Sequence, residues 1–287
     1  HWGYLVGVMW CWTQVEYGCI GWKQSRWLKN ERSHENQTVY PPCMKRVTIL
    51  LPTLNEEEGL ADVLPRLPIS EMAELGWEAN VLIVDGGSED LTTSVAQKNG
   101  CPVLKQQGKG KGAAMRLGFL RFLQSGDDAL IMLDPDGTYH PEEIPRFLKK
   151  LENADVVIGD RLRGAMDPDA MTRTNYFGNH VLTWIAVALY GVPMNDLCSG
   201  YWGFSRQAIS LLKLNSMRFE IEAEMYTSCA AEDLDISHLS IRYSKRLGEA
   251  KLGSVKDGWN IFRKLLVRRL FTTPHQTRLG DGNLNIQ

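Results

Sequence analysis

Asp134-Pro135-Asp136 follows a run of five apolar residues, Ala129 to Leu133. Two carboxylates one residue apart at a strand end can share a hard divalent cation. Mg²⁺ and Mn²⁺ prefer oxygen ligands and usually take one or two carboxylates, with substrate phosphates completing the shell. Such a metal neutralises a diphosphate and stabilises it as a leaving group. A plain turn is the alternative, because Asp, Pro and Gly137 all favour turns.

Other candidates show the same placement. Asp85-Gly86-Gly87-Ser88 follows the apolar run Val81 to Val84. Its glycines permit close backbone approach, and Asp85 can accept hydrogen bonds from a nucleobase or ribose. A turn with Ser88 or Asp90 capping a helix is the alternative. Pro52-Thr53-Leu54-Asn55-Glu56 follows Val47 to Leu51 and can cup a base or ribose, or simply start a helix. Gly108-Lys109-Gly110-Lys111-Gly112 is not a Walker loop, since no Ser or Thr follows a Gly-Lys pair. Lys109 and the backbone N–H groups around Gly110 would still suit an anionic nucleotide at a helix N-terminus. A solvated loop is the alternative.

Arg161 follows Val156 to Ile158 and is a candidate for bidentate phosphate contact. Arg163 reads as a surface ion pair. In Phe219 to Met225, Glu220 and Glu224 share a helix face and Glu222 points elsewhere. They form either a solvated acidic face or a carboxylate site near a sugar or acceptor. Lys245, Arg246 and Lys251 lie in a basic loop that can close over phosphates.

The elements that must position these residues alternate. Strands are expected at Val47–Leu51, Val81–Val84, Val103–Leu104, Ala129–Leu133 and Val156–Ile158. Helices are expected from about Asn55, over Asp90–Asn99, Ala113–Gln124 and Pro141–Glu152. This alternation predicts an α/β fold: an open, mostly parallel, Rossmann-like sheet with helices on both faces. Ligands of such sheets sit beyond the carboxyl ends of the strands, where Pro52 to Glu56, Asp85 to Ser88, the Lys109 loop, Asp134 to Asp136 and Arg161 fall.

The 287 residues are 44% hydrophobic and 23% charged, ordinary for a globular chain. A net charge of −2 gives no general attraction to nucleic acid. The six cysteines include no C-x-x-C pair, which fits reduced thiols in the cytoplasm and no zinc site. No apolar run reaches the ~18 residues of a membrane span. Val255 to Phe271 forms a basic amphipathic helix that either packs on the domain or lies in an anionic headgroup layer. Residues 1–43 do not conform to the rest, with five of the nine tryptophans before Lys29. They are expected to be an extension before a domain over 44–254, with helix 255–271 and a frayed tail, 272–287, after it. An aromatic membrane anchor is the alternative use of residues 1–43.

From Lys45 to about Leu270 the chain resembles family 2 glycosyltransferases, which have the GT-A fold. The resemblance is strongest to the polyprenyl-phosphate branch that includes dolichol-phosphate mannose and glucose synthases, in its archaeal type. Val47 to Glu56, Val84 to Ser88, Gly108-Lys109-Gly110, Asp134 to Gly137, Cys198-Ser199-Gly200-Tyr201 and Arg246 to Leu252 carry it, in that order. It implies an inverting transfer of a sugar from a nucleotide diphosphate sugar, UDP-linked rather than GDP-mannose, to polyprenyl or dolichyl phosphate. In that scheme Pro52, Thr53, Asn55, Glu56, Asp85, Gly86, Ser88, Lys109, Gly110 and Asp134 bind the donor. Asp134 and Asp136 hold Mg²⁺ or Mn²⁺. Arg161, Ser199, Glu222, Arg246 and Lys251 serve the acceptor and phosphates. The protein would then be cytoplasmic and peripheral, on the inner face of the membrane. A soluble or polysaccharide acceptor, a sugar nucleotidyltransferase, and an inactive nucleotide-sugar binder are the competing functions. The family's arginine after the Ser-Gly-aromatic triplet is replaced here by Trp202.

Overall fold

The computed structural model describes residues 44–248, 255–271 and 278–281. The 1–43 extension lies outside the described residues. All those described belong to one compact unit, Pro42–Gln287.

Seven strands form one sheet: β1 (Lys45–Thr53), β2 (Trp77–Asp85), β3 (Val103–Lys105), β4 (Ala129–Met132), β5 (Val156–Asp160), β6 (Trp202–Ser205) and β7 (Ile236–Ser240). Their order is β3-β2-β1-β4-β6-β5-β7. Only β6 runs antiparallel, against both β4 and β5. The mostly parallel α/β sheet expected from the sequence is present, and β6 makes it mixed. β6 and β7 had no sequence signal strong enough to place them. Ile236–Ser240 is only partly buried, and Trp202–Ser205 owes its place to tertiary packing. There Trp202 is fully buried and stacks on Phe204, with ring centroids 5.7 Å apart.

Strand alternation divides the core. Leu50 faces one cluster with Met115, Phe119, Trp202 and Met225. Ile49 and Leu51 face the other, with Leu60, Ile131, Phe147 and Tyr201. Helices α4 (Lys111–Ser125), α6 (Arg173–Tyr190), α7 (Arg206–Leu211), α8 (Ile221–Ala231) and α9 (Val255–Leu270) serve the first cluster. Helices α1 (Glu57–Val63), α2 (Ile69–Glu74), α3 (Thr92–Lys98) and α5 (Ile144–Lys150) serve the second. Both faces of the sheet are therefore covered, which explains why β1 is apolar on both faces from Ile49 to Leu51.

Register brings the strand ends together. Thr53 of β1 pairs with Asp85 of β2, and Leu50 pairs with Met132 at the end of β4. Asp134 thus emerges two residues past β4, level with the last residues of β1. Helix α9 spans Val255–Leu270, close to the expected 255–271, and buries Ile261 and Leu265. The stretch 278–281 is not a frayed tail: Leu279 is buried and its N–H donates to Leu212 O at 2.9 Å.

Candidate active site

A cavity of about 410 Å³ opens at the carboxyl ends of the strands. Its lining runs from Pro52, Thr53 and Glu56 through Gly86, Lys111 and Asp134–Asp136 to Arg161, Glu222, Arg246 and Ile261. Seven separate sequence candidates thus meet in one place.

The acid pair lies at its centre. Asp136 is buried, and its Oδ1 accepts from Thr138 N at 3.0 Å and from the Thr138 hydroxyl. Its Oδ2 lies 2.9 Å from Arg246 Nη1. Burial and the neighbouring Asp134 charge raise the Asp136 pKa, against the pull of Arg246 and Thr138. Asp134 Oδ2 receives Lys111 Nζ at 2.7 Å, and the same ammonium lies 2.7 Å from Glu222 Oε1. Burial works against the Lys111 charge, but Asp134 and Glu222 outweigh it and hold the ammonium above its ordinary range. Glu222 is raised by its burial, partly offset by Lys111.

Two glycines make room for this cluster. A Cβ on Gly59 of α1 would stand 2.2 Å from Pro135 O and 2.7 Å from Asp136 Cα. One on Gly200 would stand 2.3 Å from Asp134 Oδ2. The Ser-Gly-Tyr triplet therefore shapes the acid pair from behind. Ser199 itself is fully buried. Its carbonyl accepts from Trp202 Nε1 at 2.7 Å and its hydroxyl from Tyr201 N at 3.3 Å. Trp202 points into the core of β6, so an arginine at this position would be buried there.

The expected nucleoside segments are tied to each other. Asp85 is buried and accepts from Gly87 N at 2.9 Å, Ser88 N at 3.0 Å and the Ser88 hydroxyl. Asn55 N donates to Ser88 Oγ at 2.8 Å, while Asn55 Oδ1 accepts from Glu89 N at 2.8 Å. Asn55 has φ of +48°, a conformation asparagine tolerates better than most residues. Asp85, Asn55 and Ser88 thus build the rim, while Pro52, Thr53, Glu56 and Gly86 line the cavity.

Three candidates sit differently from the sequence reading. Lys109 is exposed, and the lysine that enters the cavity is Lys111, the first residue of α4. Arg161 lines the cavity but is buried, with Nε and Nη2 each 2.7 Å from the Asp196 carboxylate. Asp196 is fully buried, and the Arg161 guanidinium lies 5.2 Å from the Tyr243 ring centroid. The two-pronged geometry expected for phosphate is therefore directed at Asp196. The solvated acidic face is also absent. Glu222 enters the cavity, and fully buried Glu224 accepts from Asn215 N and Ser216 N at 2.8 and 2.7 Å. Arg246 reaches both Asp136 and Glu56. Lys245 is exposed, and Lys251 lies outside the described residues.

Sequence reasoning missed Lys111, Gly59 and Asp196. Lys111 had a signal, its place in the same glycine-rich loop. Gly59 and Asp196 had none, because their partners are distant in sequence.

The family model "Glycosyl transferase family 2" matches residues 48–212. Glycosyltransferase AglJ of Haloferax volcanii is 37% identical over 236 residues, covering 81% of this chain and 75% of the relative. A dolichyl-phosphate hexose transferase of the same organism is 30% identical, covering 78% and 96%. In fold, glucosyl-3-phosphoglycerate synthase from Mycobacterium tuberculosis, solved with Mn²⁺, UDP and its sugar product, superposes with a TM-score of 0.60. That match has 19% identity and covers 78% of this chain and 80% of the other.

The Gly59 contact yields a prediction. Gly59→Ala should leave the far-UV circular dichroism intact, because alanine favours a helix. It should lower steady-state turnover about 100-fold, the cost of misplacing a reacting group by roughly an ångström. An unchanged rate would show that α1 does not position the acid pair.

Proposed function

The chain belongs to glycosyl transferase family 2, and from that membership we propose that it transfers a sugar from a UDP-sugar to a polyprenyl or dolichyl phosphate, with inversion at the sugar carbon. The observation that carries this is the acid pair beyond β4, facing Lys111 and Arg246 across one cavity. The name of the dolichyl-phosphate relative supports the lipid acceptor.

The residues fit a divalent cation. Asp134 and Asp136 offer oxygen atoms only, and each Oδ2 already attracts a positive side chain. Among the described residues no group of three or more His, Cys, Asp or Glu side chains could hold a metal by itself. Two carboxylates with remaining ligands from a diphosphate is the usual pattern for Mg²⁺ or Mn²⁺. Asp134 and Asp136 would hold it, and when bound it supplies charge neutralisation for the departing diphosphate.

The protein's own residues do the rest. The rim built by Asp85, Asn55 and Ser88 supports the nucleoside against Pro52, Thr53, Glu56 and Gly86. Lys111 and Arg246 face the phosphates, with Arg161 fixed by Asp196 at the cavity wall. An acceptor phosphate is already an anionic nucleophile at neutral pH, so no side chain need deprotonate it. Catalysis then consists of positioning and charge neutralisation.

The outer surface supports a membrane acceptor. Helices α6 and α9 pack together, and the Tyr190 hydroxyl donates to Leu265 O at 2.8 Å. Away from the core, α6 exposes Phe177, Val181 and Trp184 at helical spacing. On α9, Trp259, Val267 and Leu270 are exposed beside Lys256, Arg263 and Arg269. Trp184 and Phe177 are each 71% exposed, well beyond what a solvated face requires. Aromatic residues with flanking cations suit the headgroup layer of an anionic bilayer. Among the described residues no helix is long and apolar enough to cross a membrane. We place the enzyme on the cytoplasmic face of the membrane, with α9 serving as cavity wall through Ile261 and as docking surface through Trp259.

Two outcomes follow. With radiolabelled UDP-sugars and polyprenyl phosphate, the protein should release UDP and label the lipid. Chelator should stop the reaction, and Asp136→Ala should slow it at least about 100-fold. Full activity in chelator would remove the metal assignment. In flotation with anionic vesicles, Trp184→Ala with Trp259→Ala should weaken binding about 10- to 100-fold, from the apolar area returned to water. Unchanged flotation would remove the α6–α9 face from the membrane contact.

A further inference from the structure

Arg246 lies in a strap, residues 243–247, that runs between two other segments after the chain leaves β7. On one side is 136–140, which carries Asp136. There Ser244 N donates to Thr138 O and Leu247 N to Asp136 O, both at 2.9 Å. On the other side is 165–167. There Tyr243 N donates to Ala165 O at 2.8 Å, and Asp167 N to Tyr243 O at 2.9 Å. Leu247 covers Gly137, which has φ of +79°; a Cβ on that glycine would stand 2.8 Å from the Leu247 side chain. The strap is thus set in register on the acid-pair loop. From it Arg246 reaches Asp136 Oδ2 at 2.9 Å and donates to Glu56.

Ser244 is where the two sides meet through side chains. Its hydroxyl lies 2.8 Å from His140 Nε2 and donates to Asp167 Oδ2 at 2.7 Å. His140 Nδ1 lies 2.9 Å from Arg66 Nη2. The two ends of this chain fix its direction. A guanidinium only donates, so His140 Nδ1 accepts. A carboxylate only accepts, so the Ser244 proton points to Asp167. A neutral His140 ring therefore carries its proton on Nε2 and donates it to Ser244. Burial, then the Arg66 and Arg242 charges, lower the His140 pKa and favour that neutral ring, against the smaller pull of Glu142 and Asp167. Arg66 is itself held, by Glu142 at 2.8 Å and by Asp62 of α1. Arg66, His140, Ser244 and Asp167 all stand outside the cavity lining, whereas Arg246 is part of it.

A hydroxyl between a one-way donor and a one-way acceptor has a single fully bonded arrangement. A strap that slipped by one residue along 136–140 would lose both side-chain bonds together. We propose that His140 and Asp167 are positioning residues for Arg246. Acting through the Ser244 hydroxyl, they hold the strap in the register that places the guanidinium at Asp136 and, with donor bound, at its diphosphate. The inference rests on the donor reading above and adds to it the residues that aim one of its two bases.

The test is a double-mutant cycle on the full chain. Binding of UDP and of GDP in the presence of Mn²⁺ is measured by calorimetry for wild type, Ser244→Ala, Arg246→Gln and the double variant. Ser244→Ala should weaken the accepted nucleotide about 2- to 10-fold, the worth of roughly one hydrogen bond. In the Arg246→Gln background the same change should cost nothing further. His140→Phe should match Ser244→Ala, and His140→Gln, whose amide can still donate to Ser244, should recover most of the loss. Thermal melts identify any variant that fails to fold. If Ser244→Ala is one, Asp167→Ala takes its place in the cycle. Undiminished affinity in Ser244→Ala or His140→Phe, or the same loss with and without Arg246, overturns the inference while the donor reading stands. If wild type binds neither nucleotide, the donor reading falls and takes this inference with it.

Discussion

Two carboxylates one residue apart at the tip of a buried strand repel each other unless positive charge stands between or beside them. In this protein that constraint governs how the surrounding elements are placed. Asp134 and Asp136 are met by Lys111 from the first turn of α4 and by Arg246 from the segment after β7. Glu222 and Glu56 then hold those bases from α8 and from the N-terminus of α1. Backbone from α1 and from the Ser-Gly-Tyr turn closes in so tightly that glycine is needed at 59 and 200. A sheet with β4 central, flanked by β1 and β6, brings these segments to one point.

Much of this was legible in the chain because it depends on local pattern. Apolar runs ending in Asp134, in Asp85 and in Pro52 each marked a strand and the loop beyond it, and parallel pairing then made those loops neighbours. Choosing between Lys109 and Lys111 needed more. Both lie between glycines, and only the start of α4 at Lys111, after Gly110 with φ of +101°, settles which side chain turns inward. The acids of α8 misled for a related reason. Helical spacing groups Glu220 with Glu224, but the acids' partners are set by tertiary contacts. Lys111 meets Glu222. The N–H groups of Asn215 and Ser216, with Lys264, meet Glu224. Arg161 looked like a phosphate ligand because Asp196, 35 residues later, gives no local sign of its approach.

Helix α9 joins chemistry to surface. Its buried side contributes Ile261 to the cavity and Leu265 to the core, and Lys264 and Arg268 reach the buried Glu224. Its exposed side presents Trp259, Arg263 and Leu270. A lipid-linked acceptor anchored in the bilayer would then meet the sugar donor across a single helix. Family membership gives the reaction type, and this two-sided helix is the structural support for a lipid acceptor over a soluble one.

In the proposed function the acid pair beyond β4 holds the metal against the donor diphosphate. Anomalous diffraction from crystals grown with Mn²⁺ and UDP tests it most directly. One anomalous peak should lie within coordination distance of Asp134 or Asp136 and of the diphosphate oxygens, with Lys111 drawn off Asp134. A peak elsewhere, or bound UDP with Lys111 and Arg246 still on the carboxylates and no metal signal, would contradict it.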